Sequence, residues 1–181
     1  DTKLAGNAKS DSPPSDDQDP METAVTEQKE LLAEFDKVAD ELNNILANLE
    51  GSTLVKRLKA ASRKQQTVAS TLSTLVPNSI GVTEREKEIH AQTFILLAES
   101  ESNSSSEASH IMDDMAAYFE RSRFMLFQRV LDDMREQDVT AELRLLADDL
   151  RRENGLAISQ AEYWSDNFER RAEDLVEGTA V

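Results

Sequence analysis

Apolar residues recur along most of this chain at steps of three and four, the period of a helix face. The densest stretch is 111–134, which carries two such stripes. One runs through Ile111, Met115, Tyr118 with Phe119, Ser122, Met125 with Leu126, and Val130; the other through Ala117, Phe124, Phe127, Leu131 and Met134. A surface helix shows one apolar stripe, whereas a helix apolar on several sides is buried against several neighbours. The pattern therefore predicts a central helix, with the other helices packed around it. The remaining helices carry too few large apolar residues to cover both stripes. Part of the second stripe is thus expected to stay open, with Phe124, Phe127 and Leu131 as candidate partner-binding residues.

The flanking pattern divides the rest of the chain. Residues 1–20 hold Pro13, Pro14 and Pro20 among Ser and Asp, with almost nothing apolar. Such a segment cannot bury enough surface to offset its ordering entropy, so a disordered acidic leader is expected there and a helical bundle over 21–181. From about residue 23 to 49, Leu31, Phe35, Val38, Leu42, Ile45 and Leu49 keep a 4-3 rhythm, the signature of a coiled-coil seam. A second such run, from Leu54 to Leu75, is out of phase with the first, because Leu49 and Leu54 are five residues apart. Gly51 lies at the phase break, so the pattern predicts an antiparallel hairpin closing there; a kinked continuous helix is the alternative.

Charge bears on that choice. Lys56, Arg57, Lys59, Arg63 and Lys64 cluster in the second run, while Glu27, Glu34 and Glu41 flank the first seam at heptad position g. An antiparallel hairpin would set Glu41 near Lys64.

Beyond residue 76, Pro77, Asn78 and Gly81 mark a loop, and Thr83 with Glu86 form a capping box. A helix is expected from about 84 to 135, continuing through the Ser-rich stretch 99–109, where small side chains let a neighbour approach. A loop over 99–109 is the alternative. Residues 137–140 make the next reversal, with Asp138 or Thr140 as cap. The last helix should run from about 141 to 176, with an interruption at Asn154 and Gly155.

Composition narrows the function classes. The 181 residues carry a formal charge of −16 and no cysteine. That charge opposes nonspecific binding to nucleic acid or anionic membrane, and the lack of cysteine removes disulfides and thiolate metal sites. No run reaches the ~18 apolar residues of a membrane span, so no membrane insertion is expected. The sequence starts at Asp1; a removed signal peptide and a trimmed boundary explain this equally, so extracytoplasmic and cytoplasmic locations both stay open.

Candidate chemistry is sparse. Glu107 and His110 have the E-x-x-H spacing of carboxylate-bridged metal bundles, but the second such pair is missing, since Lys87 precedes His90 at that distance. Glu86 and His90 share a helix face and alone make a poor site. No Gly-rich phosphate loop is present. Arg121, Arg123 and Arg129 interleave with aromatics, an arrangement that can stack single-stranded nucleic acid. Their expected role is instead to pair with acids such as Asp148 and Asp149 while their stems cover apolar neighbours. Asn103 fits a glycosylation triplet and the final Val181 a C-terminal peptide signal, both weak.

The sequence therefore predicts an all-α protein: an elongated antiparallel bundle of about four long helices behind the leader. It reads as a non-enzymatic scaffold or protein–protein interaction module, acting on a protein partner or on its own copies, without cofactor or metal and without nucleic acid. A helical sensor with a cavity lined by Tyr118, Trp164 and Phe168 is the rival, and an acidic, chaperone-like binder of a basic partner is a third reading.

Overall fold

The computed structural model describes residues 20–75, 84–152 and 156–179; the expected leader and the loop around Pro77 lie outside them. Five helices follow one another: α1 Pro20–Leu75, α2 Glu84–Ser122, α3 Met125–Glu136, α4 Val139–Arg151 and α5 Ala157–Thr179. Among the described residues there is no strand. The all-α helical bundle expected from the periodicity is what forms.

The chain divides into two units, residues 1–43 and 44–181. Of the first, the structure describes only the opening part of α1. The second holds the core: Leu54, Leu58 and Leu72 from α1, Ile111, Met115 and Tyr118 from α2, Phe127 and Met134 from α3, Leu143 and Leu150 from α4, and Trp164 and Phe168 from α5. Cross-helix partners run in opposite order, so neighbours are antiparallel. Glu50, Arg57 and Gln65 of α1 meet Arg121, Glu107 and Glu101 of α2. Likewise Lys59 and Ser62 of α1 meet Glu169 and Ser165 of α5.

The hairpin expected at Gly51 does not form, because α1 runs through it. Gly51 serves a close approach instead of a turn. A Cβ there would lie 2.9 Å from Tyr118 Oη and 3.3 Å from Phe127 Cζ, so the missing side chain is the space those two rings occupy. The phase break also has a different meaning. Five residues advance a helix by about 140° beyond a full turn, so the seam before it and the seam after it face different ways. Leu54, Leu58 and Leu72 are buried, while Ile45, Leu46 and Leu49 stay exposed. The reversal expected to set Glu41 near Lys64 is therefore absent. The basic run finds other acids: Arg57 is held by Glu107 and Asp114, and Lys59 reaches Glu169.

The Ser-rich stretch is helical, as expected. Glu101, Ser104, Ser105 and Ala108 are buried. Small residues there let α4 come close, and Ser105 Oγ donates to the Thr140 carbonyl at 2.8 Å.

The expected helix 84–135 breaks at Arg123, which takes a left-handed φ of 57°, with Phe124 extended before α3. This break resolves the two stripes. Ile111, Met115 and Tyr118 become the single inner face of α2, and Phe127, Leu131 and Met134 that of α3. One doubly apolar helix has become two ordinary amphipathic ones, folded against the same core. The expected final helix is likewise two, with α4 ending at Arg151 and α5 starting at Ala157. Asp138 is the N-cap of α4, with a left-handed φ of 45° and no side-chain capping bond.

Candidate functional site

The residues expected to bind a partner do not share a surface. Phe127 and Leu131 are 1% and 2% exposed and belong to the core. The open second stripe assumed a single helix, and the Arg123 break removes that premise. Phe124 alone is substantially exposed, its ring stacked on Tyr118 at 6.2 Å. Of the residues named for the rival cavity, Trp164 packs on Phe168 at 6.1 Å and Tyr118 on Phe127 at 4.4 Å.

Among the described residues the longest series of exposed large apolar side chains lies on α1. In its first unit Met21, Val25, Leu31, Leu32, Phe35, Val38 and Leu42 are all open, Val25 being the least exposed at 44% and Phe35 reaching 62%. Every residue from Met21 to Leu42 is exposed. These side chains share a face for a periodic reason. With Leu31 at heptad position d, the a, d and e positions hold Phe35 and Leu42, Leu31 and Val38, and Val25, Leu32 and Ala39. Three apolar positions in seven make a wider stripe than the two-position seam of a simple coiled coil. Glu27, Glu34 and Glu41 at g line one border, and the apolar e residues form the other. The seam was legible from sequence; its exposure was not, because a buried helix and an unpartnered one share that pattern.

Other arrangements in the second unit are less accessible or already satisfied. Glu107 of the E-x-x-H pair accepts from Arg57 Nε at 3.0 Å, and His110 is exposed. Among the described residues no group of three or more histidine, aspartate or glutamate side chains is placed to hold a metal ion.

Glu101 is fully buried and accepts from Gln65 Nε2 at 2.7 Å. Burial raises its pKa to about 7, against the smaller opposing pulls of that hydrogen bond and of the Lys64 charge. Its Oε1 and the Gln65 carbonyl oxygen have no hydrogen-bond partner. A proton on Glu101 supplies the donor that this pair of oxygens lacks.

Arg171 is also buried. It donates to Asp133 Oδ2 through Nε at 2.9 Å and to Gln137 Oε1 through Nη2 at 2.8 Å, and lies 5.9 Å from the Trp164 ring centre. Burial lowers its pKa, against the pull of Asp133. A groove of about 590 Å³ beside it is lined by Arg129, Arg170, Asp133 and Asp174, with Leu126 and Val130 beneath. With Arg171 the lining holds three arginines against two aspartates. A smaller groove of about 340 Å³ lies between Leu49, Thr53 and Arg57 of α1 and Asp114, Tyr118 and Arg121 of α2.

Two of the interleaved arginines form ion pairs, one across helices and one at the C-terminal end of α2. Arg121 meets Glu50 at 2.7 Å, and Arg123 meets Glu120 at 3.1 Å while lying over the Phe119 ring. Asp148 is taken by Arg151, and Asp149 accepts from Gln160, so neither serves Arg121 or Arg123 as expected. Asn103 is an exposed residue on α2. Among the described residues no helix is long and apolar enough to cross a membrane.

Comparison with known protein families, with curated proteins and with solved structures finds no match to this chain.

Proposed function

We propose that this chain is a non-enzymatic helical interaction module, whose docking surface is the apolar face of α1 over residues 21–42 and whose bundle, residues 44–181, is the scaffold that carries it. The observation behind the reading is the unbroken exposure of Leu31, Leu32, Phe35, Val38 and Leu42 at helical spacing. Soluble monomers rarely leave contiguous apolar patches of this kind open, and such patches mark contact sites. Single exposed leucines need no explanation; a periodic stripe of them does. The titratable groups with perturbed surroundings support the same reading. Glu101 is sealed inside the bundle with Gln65, and the buried Arg171 is tied to Asp133 and Gln137, placements suited to packing rather than to meeting a substrate.

The test is site-directed photocrosslinking of the full chain in its native cell. A benzophenone side chain replacing Phe35 or Leu42 should give discrete crosslinked products. The same group at Lys37 or Asp40, away from the stripe, should not. Products should vanish when Leu31 and Val38 are changed to Ser, with helicity retained by circular dichroism. Equal crosslinking from both faces, or none from either, would refute the docking surface.

A further inference from the structure

Resting on the docking surface just proposed, we infer that its occupant is an amphipathic helix of another protein whose apolar stripe is bordered on one side by lysine or arginine. The border of the α1 stripe carries the argument. Glu27, Glu34 and Glu41 stand seven residues apart along it, and the opposite border is apolar. Among the described residues none of the three glutamates has an ion-pair partner. Residues 20–43 hold seven acidic and two basic side chains, a net of −5.

The same stripe on a second copy does not complement that border. In a two-stranded coil, antiparallel pairing brings g against g, and parallel pairing brings g against e. The antiparallel arrangement sets Glu34 against its own copy and Glu27 against Glu41. The parallel one sets Glu27, Glu34 and Glu41 against Leu32, Ala39 and Leu46, none of them a cation. Both place −5 beside −5. Of the chain's basic run, Arg57 and Lys59 are already engaged by Glu107, Asp114 and Glu169 within each copy. The leader is no remedy either, since Leu4 is its one large apolar side chain before Met21.

A foreign helix with cations on the g-facing side and small apolar residues on the other matches both borders at once. Charge of this sort sets partner choice and orientation more than raw affinity, so discrimination between partners is the proper readout.

The experiment uses the full chain and designed helical peptides of roughly four heptads, with Leu at a and d. One places Lys at g and Ala at e, a second reverses these, and each has a Glu counterpart. Binding is followed by fluorescence anisotropy of the labelled peptide. At low salt at least one Lys peptide should bind about tenfold more tightly than its Glu counterpart, and the margin should shrink in about 0.5 M NaCl. The triple change Glu27→Lys, Glu34→Lys, Glu41→Lys should invert the preference. The triple change Glu30→Lys, Asp36→Lys, Asp40→Lys alters net charge equally but lies off the border, and should leave the preference in place. If both triple changes act alike, the attraction is diffuse and the inference is overturned.

Failure of all peptides, while Phe35 still crosslinks to another protein, sinks the charge rule and leaves the docking surface standing. Crosslinks to a second copy of this chain overturn the foreign partner but not the surface. Neither peptide binding nor crosslinking overturns both.

Discussion

Glu101 should make the bundle lose stability as pH rises from about 4.5 to about 7. Its carboxyl has a folded pKa of about 7 against an ordinary 4.5, so the folded state binds a proton that the unfolded chain has released. Where the native state holds more protons, stability falls with rising pH. The contribution is therefore fully present below about pH 4.5, declines across the interval, and is gone above the folded pKa. At about 1.4 kcal/mol per tenfold change, the span is about 3 kcal/mol. Changing Glu101→Gln removes the titration while keeping shape: an amide facing the Gln65 amide can still donate and accept. The variant should unfold at higher urea than the parent at pH 8, by up to about 3 kcal/mol, and near the parent value at pH 5. The chain's other carboxylates give both proteins a common background, so the difference between their profiles isolates Glu101. Parallel profiles from pH 5 to 8 would show that the buried carboxyl does not carry the proton, and the reasoning fails.

Further outcomes follow from packing. Gly51→Ala gains about 1 kcal/mol of helix propensity but drives a methyl into Tyr118 and Phe127, at a cost of about 1–3 kcal/mol, so a net loss in urea unfolding is expected. Adding Tyr118→Phe removes the nearest atom and should recover part of that loss. Phe127→Ala should cost about 3–5 kcal/mol and Leu131→Ala about 2–5 kcal/mol, whereas Phe124→Ser, at a largely exposed site, should cost under about 1 kcal/mol. Costs under about 1 kcal/mol at all three positions would return the stripe to the surface. Ser105→Leu should lower the melting temperature sharply, because it forces α2 from α4 and removes the bond to the Thr140 carbonyl.

How much of this was legible beforehand turned on what periodicity encodes. It reports which residues share a face, not what covers the face. Helix class, the Ser-rich continuation of α2 and the core residues Leu58, Met115 and Trp164 follow from spacing alone. The break at Arg123 does not, because no proline or glycine marks it: the residues 122–124 are Ser, Arg and Phe. The signal that was available is the pair of stripes itself. Two faces at one level of a helix are more simply satisfied by a chain that bends between them than by a helix surrounded on all sides.

Gly51 was misread for a related reason. A glycine marks a place where a side chain does not fit, and a turn is only one way for that to arise. Here the aromatic rings of α2 and α3 supply the other. The same reasoning separates the two seams of α1, which look alike as heptads. The run from Leu54 carries Ser62, Gln65 and Ala69 on its inner face, and these meet Ser165 and Glu101 or lie against the core. Polar and small residues inside an apolar stripe belong to contacts already specified within the chain. The run from Leu31 to Leu42 has only apolar residues at a, d and e, bordered by glutamates that form no ion pair among the described residues. Under the docking proposal, that difference has one physical meaning: the face over 31–42 is completed by a matching helix on another molecule, whereas the run from Leu54 is completed within the chain.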